Sequence, residues 1–356
     1  MSLKNLRHKI DIADKEILKL LTKRAKLILS VGKIKTNRKL PIYAPDRESE
    51  IYAKLVRLNK GPLTDKGLKA IYREIMSSAL SLEQPLAVSY LGPEVTFTHL
   101  AAMDKFGSSV NYRPCKSITD VFSEVEKGRS DYGVVPIENS AEGAVSHTLD
   151  MFIDSNLKIC SEVYLSIFHN LLGHSGSLST VKEVYSNPQV FGQCRLWLRN
   201  NLPNASLHET SSTAQAAMIV SKKKNAACIA SLLAKDKYKL KLLAASIEDF
   251  SRNITRFLVI AKDMALATGK DKTSIMFSVK DKVGALHEAL VPFKKNGINL
   301  TKIESRPSKL RAWEYYFFVD LEGHVNNSKI KKTLKELKKS CSYLKILGSY
   351  PAGSEN

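Results

Sequence analysis

The sequence predicts three units in series: an all-helical head, an α/β middle and a ferredoxin-like α+β tail. Three observations carry that expectation. Apolar residues recur at steps of three and four between Leu3 and Leu82. Short β-rich runs then alternate with helical periods as far as residue 265. The remainder reads β-α-β-β-α-β. The expected boundaries are 1–84, 86–265 and 273–350, and 356 residues with a 44% apolar content suffice for three cored domains.

In the head, Leu3, Leu6, Ile10, Ala13, Ile17, Leu20, Leu27, Val31 and Ile34 form one seam, predicting a single long amphipathic helix. Arg24 interrupts that seam. A buried guanidinium needs an anionic partner, either a carboxylate on a neighbouring helix or a bound anion. Lys35 lies three turns further along nearly the same face, about 16 Å along the axis, so the two cations can clamp one small dianion. Arg7 is about 25 Å from Arg24 by the same rise and reaches that ligand only from a second subunit. Pro41 to Pro45 ends the helix, and Pro45-Asp-Arg-Glu48 opens the next with proline and acids in its first turn. After the Gly61-Pro62 turn a third helix presents Leu68, Ile71, Tyr72, Ile75, Ala79 and Leu82, with Glu83 one turn beyond Ala79.

Three helices carrying Arg7, Arg24, Lys35, Arg47-Glu48 and a terminal Glu83 resemble the all-helical chorismate mutase domain. The whole chain is similar to the bifunctional chorismate mutase/prephenate dehydratase family. The resemblance implies that Arg7 from the partner subunit, Arg24 and Lys35 hold the carboxylates and ether oxygen of chorismate, that Arg47 and Glu48 line the pocket, and that Glu83 joins Lys35 in catalysis. Glu83 can donate to the ether oxygen only when protonated. Ala44 and Ala79 stand where relatives can carry polar side chains, so hydrogen bonds from those side chains are absent. A homodimer or higher homo-oligomer is expected with this domain.

In the middle unit, strands are expected at Leu86–Leu91, Tyr132–Ile137, Val181–Ser186 and Phe257–Ile260, in a largely parallel sheet. Polar clusters follow or flank these runs: Leu91-Gly-Pro-Glu-Val-Thr-Phe-Thr-His99, Pro136-Ile-Glu-Asn139, Tyr185-Ser-Asn-Pro-Gln189 and Asn253-Ile-Thr-Arg-Phe257. Any one alone is ordinary loop chemistry; several together at strand ends point to a site. In this order they resemble the prephenate dehydratase domain, which implies two α/β lobes around a cleft, as in periplasmic binding proteins. Carried over, the catalytic residues are Thr255, Ser186 and Gln193, with Glu138, Asn139 and Arg256 in the cleft. In a regular strand Thr255 and Arg256 face opposite ways and share a cleft only if the backbone is irregular. Val95 occupies a position where relatives usually have glycine, which reshapes the turn if it needs positive φ. The implied reaction removes carbon dioxide and the ring hydroxyl of prephenate, driven by aromatisation, with no metal and no cofactor. The site must fix two carboxylates and donate to the departing hydroxyl. Thr255 is a weak acid, so a relay through water or Glu138 is the alternative.

In the tail, strands are expected at Thr273–Val279, Ile298–Ser305, Trp313–Leu321 and Tyr343–Ser349, with helices at Val283–Lys295 and Asn327–Lys339. Gly284-Ala-Leu-His287 and Glu304-Ser-Arg-Pro307 resemble the phenylalanine-sensing motifs of the ACT domain, implying Gly284, Ala285, Leu286, His287, Glu304, Ser305, Arg306 and Pro307 as effector-binding residues.

The net charge of +20 favours anionic partners, although the basic residues are spread along the chain as solvated surface is. Five cysteines without C-x-x-C spacing suit a reducing cytoplasm without structural zinc. No apolar run reaches membrane-spanning length, and Asp11, Asp14 and Glu16 are unlike a signal peptide. The rival class is a ligand-responsive DNA-binding regulator with an amino-acid-sensing tail. Against it, the head has no short helix-turn-helix and no nucleic-acid partner is expected.

Overall fold

The structure is a computed structural model that describes residues 2–38, 40–174, 176–250, 252–280, 282–308 and 315–353. The head consists of α1 (Leu3–Asn37), α2 (Pro45–Leu58) and α3 (Asp65–Glu83). Ser2 and Thr64 cap α1 and α3 with their hydroxyls, and Pro45 opens α2 where its missing N–H costs nothing. The end of α1 lies against the end of α3: a Cβ on Gly32 would stand 3.2 Å from Cγ of Glu83. Much of the seam is left uncovered by the described residues, with Leu3, Ile10, Leu20 and Leu27 59–65% exposed. Arg24 is half-buried at the edge of a cavity rather than packed inside a seam.

The middle unit runs β1 (Ala87–Leu91), α4 (Phe97–Phe106), β2 (Asn111–Cys115), α5 (Ile118–Glu126), β3 (Tyr132–Asn139), β4 (Gly143–Ala144), α6 (Ser146–Asp154), β5 (Lys158–Ser166), β6 (Asn170–Gly173), β7 (Glu183–Ser186), α7 (Pro188–Gln193), α8 (Arg195–Asn201), β8 (Ser206–Glu209), α9 (Thr213–Val220), β9 (Ala226–Ala230), α10 (Leu232–Tyr238), β10 (Lys241–Ala244) and β11 (Ile254–Ala261). Two sheets result, β2-β1-β3-β11-β5 with β4 on β3, and β10-β6-β9-β7-β8. The chain passes to the second lobe after β5 and returns after β10, and the two crossings are tied by Ile167 N–H donating to the Asn253 carbonyl at 2.8 Å. The returning strand β11 runs antiparallel to both β3 and β5, so the sheets are mixed where a largely parallel sheet was expected.

The turn after β1 keeps a positive φ of 64° at Val95, the conformation glycine would adopt without strain. Val95 is held there by burial against Leu172, Tyr185 and Ala214 of the second lobe, and by Ser231, whose hydroxyl donates to its carbonyl at 2.7 Å. A first-lobe turn is thereby anchored in the second lobe's core.

The tail comprises β12 (Asp271–Ser278), α11 (Ala285–Lys295), β13 (Leu300–Pro307), β14 (Tyr315–Glu322), α12 (Ser328–Ser340) and β15 (Tyr343–Pro351), in sheet order β13-β14-β12-β15. Residues 313 and 314, where the third strand was expected to begin, lie outside the described residues. One sheet face (Ile275, Phe277, Val319, Leu321) packs under α11 and α12; the other (Met276, Phe318, Leu347, Tyr350) shares a core with Ile137, Leu149, Phe152 and Leu258 of the first lobe. Gly348 permits that approach, since a Cβ there would meet the Ile159 carbonyl oxygen at 2.1 Å. The head is also docked: Tyr43 is buried between Phe106 and Tyr132, and Arg73 pairs with Asp104 at 2.6 Å.

Candidate active sites

A cavity of about 670 Å³ opens in the head, lined by Arg24, Lys35, Ala44, Arg47, Glu48, Ala79 and Glu83. Its size suits a small organic ligand. Lys35 donates to the Ile42 carbonyl at 2.5 Å and lies 3.0 Å from Oε2 of Glu83, whose side chain is 4% exposed. The ammonium is thus fixed at the cavity wall with its charge partly balanced by its ion pair with Glu83. Arg47 is held outward by Glu50 at 2.8 Å. Glu48 accepts from the Tyr43 hydroxyl at 2.6 Å. Burial, then the Glu48 carboxylate, pushes the Tyr43 phenol well above its usual range, so it stays protonated as a donor. Arg7 is exposed near the far end of α1 and does not line the cavity.

A second constellation forms where the two lobes meet. Thr255 and Asn139 are register partners on β11 and β3, and Asn139 Nδ2 donates to Thr255 Oγ1 and to Asn253 Oδ1, each at 2.7 Å. The backbone N–H groups of Ala141 and Glu142 donate to Asn139 Oδ1 at 2.9 and 3.1 Å, which fixes the amide with its nitrogen toward Thr255. Because Thr255 Oγ1 already accepts, its own proton is directed elsewhere. Asn253 Nδ2 donates to Gln193 Oε1 at 2.8 Å, and Gln193 Nε2 donates to Glu142 at 2.8 Å, closing the network across the lobes.

His169, on the outgoing crossing, was missed by the sequence analysis. Its Nε2 lies 2.6 Å from Gln193 Oε1, an acceptor, so that nitrogen carries the proton. The opposite Nδ1 is buried and without a partner among the described residues. Burial holds the imidazole below its usual pKa against the opposing Gln193 hydrogen bond, so His169 is neutral at pH 7. The signal was present: His169-Asn170 is a polar pair directly after a β-rich run, like the clusters that were noticed.

Three expected residues stand elsewhere. Ser186 is fully buried and donates to the Ile229 carbonyl at 2.9 Å, a contact inside the second lobe. Arg256 turns to the face of β11 opposite Thr255, as strand alternation requires. There it meets Glu162 at 2.7 Å, Asp320 at 2.5 Å and the Tyr350 hydroxyl at 3.0 Å, in a buried cluster completed by Lys272, 2.8 Å from Glu162. The bulge in β11 relative to β3 falls after Arg256, too late to rotate it into the cleft. Glu138, its register partner, shares that orientation and lies 2.7 Å from the Lys302 ammonium of β13.

In the tail, Gly284 adopts φ 77° as the N-cap of α11. Ala285 is buried, Leu286 packs against the tail's core, and His287 is exposed. On β13, Glu304 and Arg306 face inward while Ser305 and Pro307 face out. Arg306 is not free for an effector, since it donates to Ser146 at 2.8 Å and pairs with Asp150 at 3.4 Å on α6.

Comparison with known proteins decides what these sites belong to. Family models match for chorismate mutase type II over residues 6–84, prephenate dehydratase over 88–265 and the ACT domain over 273–339. A bifunctional chorismate mutase/prephenate dehydratase of Aquifex aeolicus is 53% identical over 353 residues, covering 98% of each chain. The chain belongs to the bifunctional chorismate mutase/prephenate dehydratase family. A Pseudomonas aeruginosa family member is 45% identical over 98% of this chain and 97% of its own. Among solved structures, a prephenate dehydratase of Arthrobacter aurescens in complex with L-Phe superposes with a TM-score of 0.70 at 34% identity, covering 75% of this chain and 90% of that one. The family assignment makes the chain a chorismate mutase and prephenate dehydratase, and nothing in the comparisons supports the DNA-binding rival.

Proposed function

We propose that the cavity in the head is where chorismate becomes prephenate, and that the Thr255–Asn139–Asn253–Gln193 network at the lobe junction is where prephenate becomes phenylpyruvate. The proposed domains span residues 1–84, 86–265 and 273–350. The observation that supports the first assignment best is that Arg24 and Lys35 line one cavity, two cations for a dicarboxylate, with Arg47 at its rim paired to Glu50. The rearrangement is pericyclic, so the protein contributes by holding the reactive conformer and by stabilising charge on the ether oxygen, the role we give to Lys35. Arg7 of a second copy completes the site, and that copy's helix covers the exposed seam of α1 in a homodimer.

At the lobe junction, Asn139 orients the Thr255 hydroxyl so that its proton points to the leaving hydroxyl of prephenate. Neutral His169 offers its open Nδ1 as an acceptor within the same network. Phenylalanine acts through the tail, and the Arg256–Asp320 pair joins the strand bearing Thr255 to the tail's sheet. No described helix is long and apolar enough to cross a membrane, and a cytoplasmic enzyme is proposed.

Crossed assays test the assignment. Arg24→Ala should abolish chorismate consumption yet convert supplied prephenate normally. Thr255→Ala should accumulate prephenate from chorismate, with dehydratase turnover down about 10²-fold or more. Equal loss of both activities in either folded variant overturns the division of sites between domains.

A further inference from the structure

The mutase cavity is not closed by the helical domain alone. Lys105 and Phe106, at the C-terminal end of α4 in the dehydratase domain, line it together with Arg24, Lys35 and Glu48. The Lys105 ammonium lies 2.8 Å from Oε2 of Glu48, with the two side chains 19% and 11% exposed, and 5.8 Å from the centre of the Tyr43 ring. Tyr43 donates to the same carboxylate oxygen. Both contacts use Oε2, which leaves Oε1 to accept from a hydroxyl on the ligand. The placement of Lys105 is enforced from both sides: Asp104 pairs with Arg73 of α3 at 2.6 Å, and Ser108 donates to Glu74 through its backbone at 3.0 Å and its hydroxyl at 2.6 Å. Gly107 fits flush against Ser77, whose Cβ would be 2.5 Å from a side chain there.

A carboxylate this poorly solvated is unfavourable next to a dianionic substrate unless a cation balances it. We propose that Lys105 is a positioning residue of the mutase site: the dehydratase domain reaches into the helical domain, holds Glu48 in one orientation and offsets its charge toward chorismate. Mutase affinity in this chain then depends on a residue of the other enzyme. The inference rests on the reading of the head cavity as the mutase site.

The test uses the full-length chain. Losing one charge-assisted hydrogen bond in Lys105→Met should lower mutase kcat/KM about ten- to hundredfold, chiefly through a higher KM for chorismate. Lys105→Arg should recover most of it, and dehydratase turnover of supplied prephenate should stay within about twofold as the readout of an intact fold. In a Glu48→Gln background the further loss from Lys105→Met should shrink to about twofold or less, because the two groups act as a unit. Wild-type mutase kinetics in Lys105→Met, an equal loss in both backgrounds, or parallel loss of both activities without recovery in Lys105→Arg each overturn the proposal. Arg24→Ala measured alongside separates the two levels: retained mutase activity there refutes the cavity assignment itself, whereas its loss beside an unaffected Lys105→Met refutes only the role of Lys105.

Discussion

Replacing Arg256 by methionine keeps an unbranched apolar stem and deletes the charge, and the structure says where the cost falls. Glu162 keeps Lys272 at 2.8 and 3.0 Å and the Gly353 N–H at 2.8 Å, so it remains paired. Asp320 loses the guanidinium that touches it and retains the Ser274 hydroxyl at 2.5 Å. Breaking a buried pair by removing one partner costs about 3–5 kcal/mol, and because one of the two carboxylates stays satisfied the lower end applies. At roughly 2–4 °C per kcal/mol for a cooperative unit of this size, the melting temperature should fall by about 10 °C. The loss should depend on pH. Burial alone would raise the Asp320 pKa; Arg256 and Ser274 outweigh it and hold the carboxyl below its usual range. In the native protein that pairing stabilises the fold above about pH 4 and is lost on further acidification. In Arg256→Met the burial effect is no longer outweighed by that cation, so the folded-state pKa rises and the penalty at pH 7 is relieved as pH falls. Differential scanning calorimetry at pH 7.5 and pH 5 should therefore show the gap between variant and wild type narrowing at the lower pH. A variant that melts within 2 °C of wild type and shows a large rise in KM for prephenate would restore Arg256 to the cleft.

Two other perturbations address the contacts between units. Val95→Gly relieves about 1–2 kcal/mol of positive-φ strain but gives up about 2 kcal/mol of buried side chain against the second lobe and loosens the unfolded chain. It should be destabilising by about 1 kcal/mol on urea denaturation, and a clear stabilisation would show that Val95 packs poorly. Deleting residues 270–356, which removes the phenylalanine-responsive tail, strips the apolar cover from Ile137, Leu149 and Leu258 and takes Asp320 and Lys272 from the buried ion cluster. The truncated chain should aggregate or melt far below the intact one by light scattering; a monodisperse product of native stability would mean that the shared core contributes little.

The sequence by itself determined the order of the three units and the elements whose periodicity is strongest: the head's helices, the tail's β-α-β-β-α-β order and four strands of the middle unit, β1, β3, β7 and β11, stand in the structure, whereas the middle unit's other strands were not marked by it. It also placed polar groups at strand ends, Asn139 and Thr255 among them; their roles and that of Gln193, at the end of α7, came from the resemblance to the family, and folding brought the three together through Asn253. Alternation along β11 already assigned Thr255 and Arg256 to opposite faces, but which face was the cleft depended on what lay behind the strand. Only the tertiary structure supplied that, by packing the tail's sheet against the first lobe so that Asp320 and Glu162 capture the guanidinium. Ser186 was misread for the same reason, since a hydroxyl at a strand end serves a cleft or a neighbouring carbonyl with equal ease until the neighbour, Ile229, is known. Lys105 carried no local signal at all. Its helix-end position is ordinary, and its meeting with Glu48, 57 residues earlier, comes from docking two domains, a contact between surfaces that periodicity and spacing within either one do not encode.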